Sequence, residues 1–279
     1  NTASCADAFT VLANQNMNEW TPTAQLTGAR IEAVLNRPEV TYQGPYSLKA
    51  GSSTLGAFQV SAGTNVLNYL QLVSASEQGN LWITATGSLA FQGRTYNPTV
   101  SDLTFADDGS GIQYSKLTNA FGDELLYNYI QTQSPAGASP ETTSDATSIA
   151  LYQAQQYTKL DLLNSTTAEV AALGNYLLGR YKDPVLRFTG LEVQLAALGY
   201  DDQYTVLAAE ITEITSVLKT FSVGTPATVT QNVFVSGIRH NITPGSHTVG
   251  FTFESVDGNG YFTLDSSIFG VLDQNLLAF

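Results

Sequence analysis

His240 and His247 are the two histidines of the chain and stand seven residues apart, with Thr243-Pro244-Gly245 between them. A Pro-Gly pair between extended runs marks a turn. A hairpin there would bring the two imidazoles together, and Glu254 or Asp257 would be the nearest further ligand for a shared metal. Metal-binding histidines ordinarily show more definite spacing, so the plainer reading is a packed or hydrogen-bonded strand histidine, and no metal is assigned. Cys5 is the single cysteine, which excludes an internal disulfide and a Cys-based zinc site. As a nucleophile it would need a partnered histidine; on an amphipathic helix it is an ordinary small buried residue. Asp257-Gly258-Asn259-Gly260 has the start of a calcium loop, yet Tyr261 stands where the third Asp or Asn belongs and no Glu follows at position twelve. Asp107-Asp108 and Asp201-Asp202 are carboxylate pairs of the kind a glycosidase uses, but beside glycine or at a helix start such pairs serve turns and caps. No phosphate-cradling loop and no nucleophile elbow occurs. The chain therefore reads as a structural or binding protein, with no catalytic residue, metal or cofactor.

The sharpest punctuation lies between residues 164 and 195. Thr166 and Glu169 have capping-box spacing. Val170, Leu173 and Leu177 form one stripe, with Gly174, Leu178 and Tyr181 beside it. Arg180 and Lys182 occupy the last turn, where cations meet the negative end of a helix, and Pro184 forbids continuation. Residues 185–195 then read as a strand. This corner is expected to brace a sheet. Arg180, Arg187 and Arg239, three of six arginines, are the candidate interface residues, with Arg180 and Arg187 pairing with carboxylates at or near a subunit boundary.

Upstream, helices are expected at 5–13 (Phe9, Val11 and Leu12 inward), at 27–36 (Ile31, Val34 and Leu35 inward), and after a Thr64 cap with Val66, Leu67, Leu70 and Val73 inward and Gly79 at its end. A hairpin over 81–85 and 88–92 turns at Thr86-Gly87. From Tyr96 the pattern shifts towards strand, with candidates at 99–105, 113–117 and 125–131. Residues 134–144 give the strongest loop signal. Downstream lie a short helix at 201–210, a strand from about Glu213, and a meander over 228–241, 247–254 and 261–264. An apolar tail at 268–279 would dock or swap onto a neighbour. The expected fold is α+β, predominantly antiparallel β. It comprises a small α+β domain at 1–95 and a mainly β, barrel-like domain at 96–279, braced by short helices, with a helical insert near 166–182.

Charged residues make up 13% of the 279 residues, against roughly a quarter in an average soluble domain. Depletion of charge suits surfaces committed to neighbours. The formal charge is −13, and the eleven Lys and Arg are scattered, which argues against specific nucleic-acid binding. No apolar run approaches the roughly 20 residues of a membrane helix. The sequons at Asn164 and Asn241 are short patterns that arise by chance. A start at Asn1 without methionine or signal-like segment suggests a processed or partial chain.

Two sets of blocks resemble a known family in their order and spacing. The first runs through Gly28-Ala29-Arg30-Ile31, Val34-Leu35, Gly51-Ser52-Ser53-Thr54-Leu55, Leu67-Asn68-Tyr69-Leu70, Ser76-Glu77-Gln78-Gly79 and Leu89-Ala90-Phe91-Gln92-Gly93-Arg94. The second joins Leu177 to Phe188 with Val235 to His247. Together they are similar to minor tail proteins of long-tailed phages and prophages of actinobacteria, of the tail-hub or tail-associated type. The resemblance spans about residues 5–273 and departs at His247, where the family often carries Trp. It implies a tail-hub-like architecture and a virion protein at the distal end of the tail, made in the host cytoplasm. The ring homo-oligomer it implies, most simply a trimer, would contact the distal tail ring, the tape measure and other tail-tip proteins, and DNA would pass through it. A receptor- or carbohydrate-binding module is the alternative, with the 134–144 loop and exposed tyrosines as its surface, and a cell-wall-degrading enzyme is the third reading.

Overall fold

The computed structural model describes residues 7–96, 100–120, 125–223 and 226–256. They group into two units: the residues up to 96 together with 126–183, and the intervening residues together with those from 184 onward. The division read from composition, 1–95 and 96–279, differs from this grouping by the segment 126–183. That segment is held to the first unit by hydrogen bonds between residues far apart in sequence, which local patterning does not report.

In the first unit the helices Ala8–Ala13, Thr27–Leu35 and Val66–Glu77 surround one core. Ile31, Val34, Leu35, Val66, Leu70 and Val73 are all buried there, as their helical spacing requires. Val11 is not; a helix of six residues has too little length to bury more than the edge carrying Leu12. The third helix is capped by Asn65, whose side chain accepts from the Asn68 N–H at 3.1 Å, while Thr64 pairs with Met17 in a short ladder. Its left-handed terminal residue is Gln78, at φ 58°. Gly79 is needed for space instead: a Cβ there would stand 2.6 Å from the Gln92 carbonyl oxygen and 2.8 Å from the Phe91 ring. Asn80–Ile83 and Leu89–Gln92 form the expected hairpin, and Tyr46–Leu48 runs parallel to the second strand.

The remainder of this unit is a three-stranded sheet under a helix. Tyr129–Thr132 lies between Glu141–Ser144, antiparallel, and Gln156–Lys159, parallel. The stretch expected to be loop throughout thus ends in a strand, because Thr142 and Thr143 find a partner that a local reading of Pro, Gly and Ser does not reveal. Helix Thr167–Tyr181 buries Val170, Leu173 and Leu177 with Ile130 and Leu162.

The second unit is a six-stranded sheet in the order Val100–Ala106, Ile214–Thr220, Thr228–Thr243, Ser246–Ser255, Arg187–Gln194, Lys116–Ala120. The first pair is parallel and the rest antiparallel. The strand expected at 113–117 sits at Lys116–Ala120, where pairing of Leu117 with Leu191 fixes its register. The 3-10 turn Leu195–Ala197 and the helix Tyr200–Ala208 follow the strand Arg187–Gln194. Phe105, Phe251, Phe253, Val217, Val233 and Val249 form the core. Among the described residues no ladder joins the two outer strands, so the sheet is open there and the expected barrel closure is absent from it. The strand expected at 261–264, the 257–260 turn and the tail at 268–279 lie outside the described residues.

Candidate functional site

The long hairpin Thr228–Thr243/Ser246–Ser255 decides where its histidines point. Val235 lies opposite Phe253, but Gly237 lies opposite Thr252, so Ser236 is an extra residue. Side chains alternate along a strand, and one inserted residue reverses the parity of everything after it. Up to the bulge the odd residues Val233 and Val235 face the core; beyond it Ile238, His240 and Ile242 take that side, opposite Phe251, Val249 and His247. Gly245, at φ +87°, closes the turn. The expected meeting of the histidines is therefore realised: His240 Nδ1 and His247 Nε2 are 3.1 Å apart, with ring centroids 5.3 Å apart. Burial, and then the charge of His247, push His240 below the usual histidine range. Glu254 pairs opposite Phe234, far along the strand, and Asp257 lies outside the described residues. Among the described residues no group of three or more His, Cys, Asp or Glu is arranged to hold a metal ion.

The acidic pairs are separate features. Asp107 accepts from Lys219 Nζ at 2.7 Å and from the Thr220 N–H at 2.9 Å. Burial raises its pKa, but these donors outweigh burial and leave it lowered. Asp108 closes its turn by accepting from the Ser110 hydroxyl at 2.6 Å. Asp201 and Asp202 occupy the first turn of the helix Tyr200–Ala208. Asn164 is fully buried and donates to the Ser76 carbonyl, so its sequon is closed to glycosylation in the folded chain, whereas Asn241 is exposed. Cys5 lies outside the described residues.

The three candidate arginines have different settings. Arg180 is half-buried, with its guanidinium 5.4 Å from the Tyr181 ring centre. Arg187 is 6% exposed and turned inward. Arg239, on the opposite side of the hairpin from His240, is exposed.

A densely bonded polar centre lies where residue types alone did not single one out. Glu77 continues the Val66, Leu70 and Val73 stripe and is fully buried. Its carboxylate accepts from the Thr27 hydroxyl, the Ser52 N–H and hydroxyl, and the Ser53 N–H, at 2.7–3.0 Å. Arg94 donates to the Ser53 hydroxyl and to the Glu77 carbonyl. Burial pushes the Glu77 carboxyl up, but the Ser52 N–H and the Arg94 charge lead the forces that hold it below its ordinary value. Three of the blocks that carry the family resemblance, Gly51 to Leu55, Ser76 to Gly79 and Leu89 to Arg94, thus converge on one buried carboxylate. Its signal in the sequence is a charged residue standing on an apolar stripe. Nearby, Lys159 donates to Gln78 Oε1 at 2.7 Å in a pocket of about 320 Å3 that also touches Ser74 and Asn80. Burial pushes this amine down to about 8.

No protein-family model and no curated protein sequence matches the chain. Solved structures do. The 43 kDa tail protein of prophage MuSo2 from Shewanella oneidensis superposes with TM-score 0.61 at 11% identity, covering 91% of this chain and 73% of that one. The tail protein from Neisseria meningitidis MC58 gives 0.60 at 12%, over 88% and 72%. The prophage tail protein gp18 from Listeria monocytogenes EGD-e gives 0.51 at 10%, over 89% and 70%. The chain therefore has the fold of phage tail proteins.

Proposed function

We propose that this protein is a non-catalytic structural subunit of a phage tail, at the tail tip, where copies form the hub ring that continues the tube and passes DNA. The observation that carries this reading is the likeness to the MuSo2 tail protein over 91% of the chain. The resemblance of the sequence blocks to actinobacterial tail-hub proteins supports the finer assignment to the hub, and the low charge content suits repeated subunit interfaces. A formal charge of −13 would keep DNA from adhering to the ring, the converse of phosphate binding by clustered cations. Homotrimeric closure is the simplest assembly consistent with the resemblance. Arg180 and Arg239 are the arginines with surface to offer a neighbour, the distal tail ring or the tape measure, while Arg187 is limited by its burial. Electron microscopy of the assembled tail tip tests the proposal: a threefold ring with an open channel containing this chain supports it, and a peripheral, ring-free position refutes it.

A second reading has one specific observation in its favour. Tyr200 and Tyr204 are 81% and 69% exposed, one helical turn apart, and exposed aromatic rings can stack on sugars. Binding to host-wall polysaccharide that disappears in the Y200A/Y204A variant would favour a carbohydrate-binding tail-tip module over a hub.

A further inference from the structure

We infer that the tip of the long hairpin is a two-histidine chelate for a borderline divalent cation such as Zn2+, Ni2+ or Cu2+. The two nitrogens that face each other, His240 Nδ1 and His247 Nε2, are 3.1 Å apart. A cation about 2.0–2.1 Å from each would subtend roughly 100° between them, a value between octahedral and tetrahedral coordination. Imidazole nitrogens select this class of metal over Mg2+ and Ca2+, which prefer oxygen.

The pair is placed by the backbone. The bulge at Ser236 gives His240 its face, the Gly245 turn returns the chain, and the ladder sets His247 opposite Ile242 and His240 opposite Val249. Two rigidly paired strands hold the nitrogens together, so the second ligand binds as an intramolecular event. Room for the remaining ligands exists as well. His240 is exposed and His247 half-buried, so water can reach the pair and fill the other positions. The bound ion would cross-link the two strands where the hairpin leaves its buried part, since Val249 is fully buried while His240 and Ile242 are exposed.

Calorimetric titration of the full chain with Zn2+ or Ni2+ tests this, with Mg2+ as control. One ion is expected per chain. H240A and H247A should each weaken binding about 100-fold, H240A/H247A should abolish it, and R239A should leave it unchanged. Should an alanine variant fold poorly, Cu2+ electron paramagnetic resonance on the unaltered chain supplies the second readout, with two nitrogen ligands expected. Binding unchanged in the double variant overturns the inference. So does the lack of any response at millimolar metal, which would leave the pair as an N–H···N hydrogen bond only.

Discussion

The backbone N–H of Thr54 donates to Glu169 Oε1 at 2.8 Å across 115 residues of chain. Oε2 of the same carboxylate takes the Ser165 N–H at 3.1 Å and the Ser165 hydroxyl at 2.7 Å. Thr166 meanwhile caps the helix through the Glu169 N–H at 3.2 Å. The capping box is therefore shifted by one residue, and its acid also secures a distant strand. T166A should cost about 1 kcal/mol. E169A removes three acceptor contacts and should cost more, about 2–3 kcal/mol. Urea unfolding compares the two, and an E169A loss no larger than that of T166A would remove any weight from the Thr54 link.

Glu77 makes a prediction in acid. Its folded pKa lies below the ordinary 4.5, so its contribution is complete above pH 4.5 and is lost as pH falls through the folded value. E77A should cost about 3–5 kcal/mol at pH 7, because buried donors lose their acceptor. E77Q keeps the size but cannot titrate. Its urea midpoint should fall less between pH 5 and 3 than that of the unaltered chain; parallel falls would show that other carboxylates govern the acid response.

Lys159 acts at the opposite end of the scale. Burial lowers its pKa from 10.5 to about 8. Between those values the unfolded chain holds a proton that the folded chain has released, so stability rises with pH across this window and the benefit is lost as pH falls through about 8. Relative to K159M, the unaltered protein should gain stability from pH 8 to 10.5 and show no change in the difference below that. A flat stability difference would contradict the lowered value.

Arg239 and Arg187 should separate assembly from folding. R239A removes an exposed side chain and should leave the melting temperature within about 1 °C, as surface changes usually do. If the proposed ring forms and this hairpin face contacts a neighbouring subunit in it, the variant should also shift the sedimentation profile towards monomer. R187A removes a buried side chain and should lower the melting temperature by several degrees. The reverse ranking would contradict the difference in burial between the two side chains.

Helices with strong punctuation were readable at once: Thr166, Glu169 and Pro184 bound the helix Thr167–Tyr181 almost to the residue, because caps and prolines act locally. The hairpin around Gly245 and the approach of the two histidines followed for the same reason. What stayed hidden depended on distant partners. The strand Glu141–Ser144 exists because Tyr129–Thr132 pairs with it, and the register of Lys116–Ala120 is set by Leu191. The Glu77 centre needed residues from three blocks to meet. Ser236 is the subtlest case: strict alternation would have put Arg239 on the core face and His240 outside, and only the ladder opposite reveals the inserted residue.

The discontinuous first unit also sets a timetable. Ser76 Oγ accepts the N–H of Leu163, a core residue 87 positions later. At typical elongation speeds the ribosome takes roughly 4–17 s to supply that partner. In that interval the helix Val66–Glu77 has emerged with its core incomplete, and residues 97–125 of the other unit must pass before the chain returns. The N-terminal unit is thus begun first but finished only after part of its successor has been made, which favours nascent chains that hold Val66–Glu77 in a loosely packed state until the closing segment arrives.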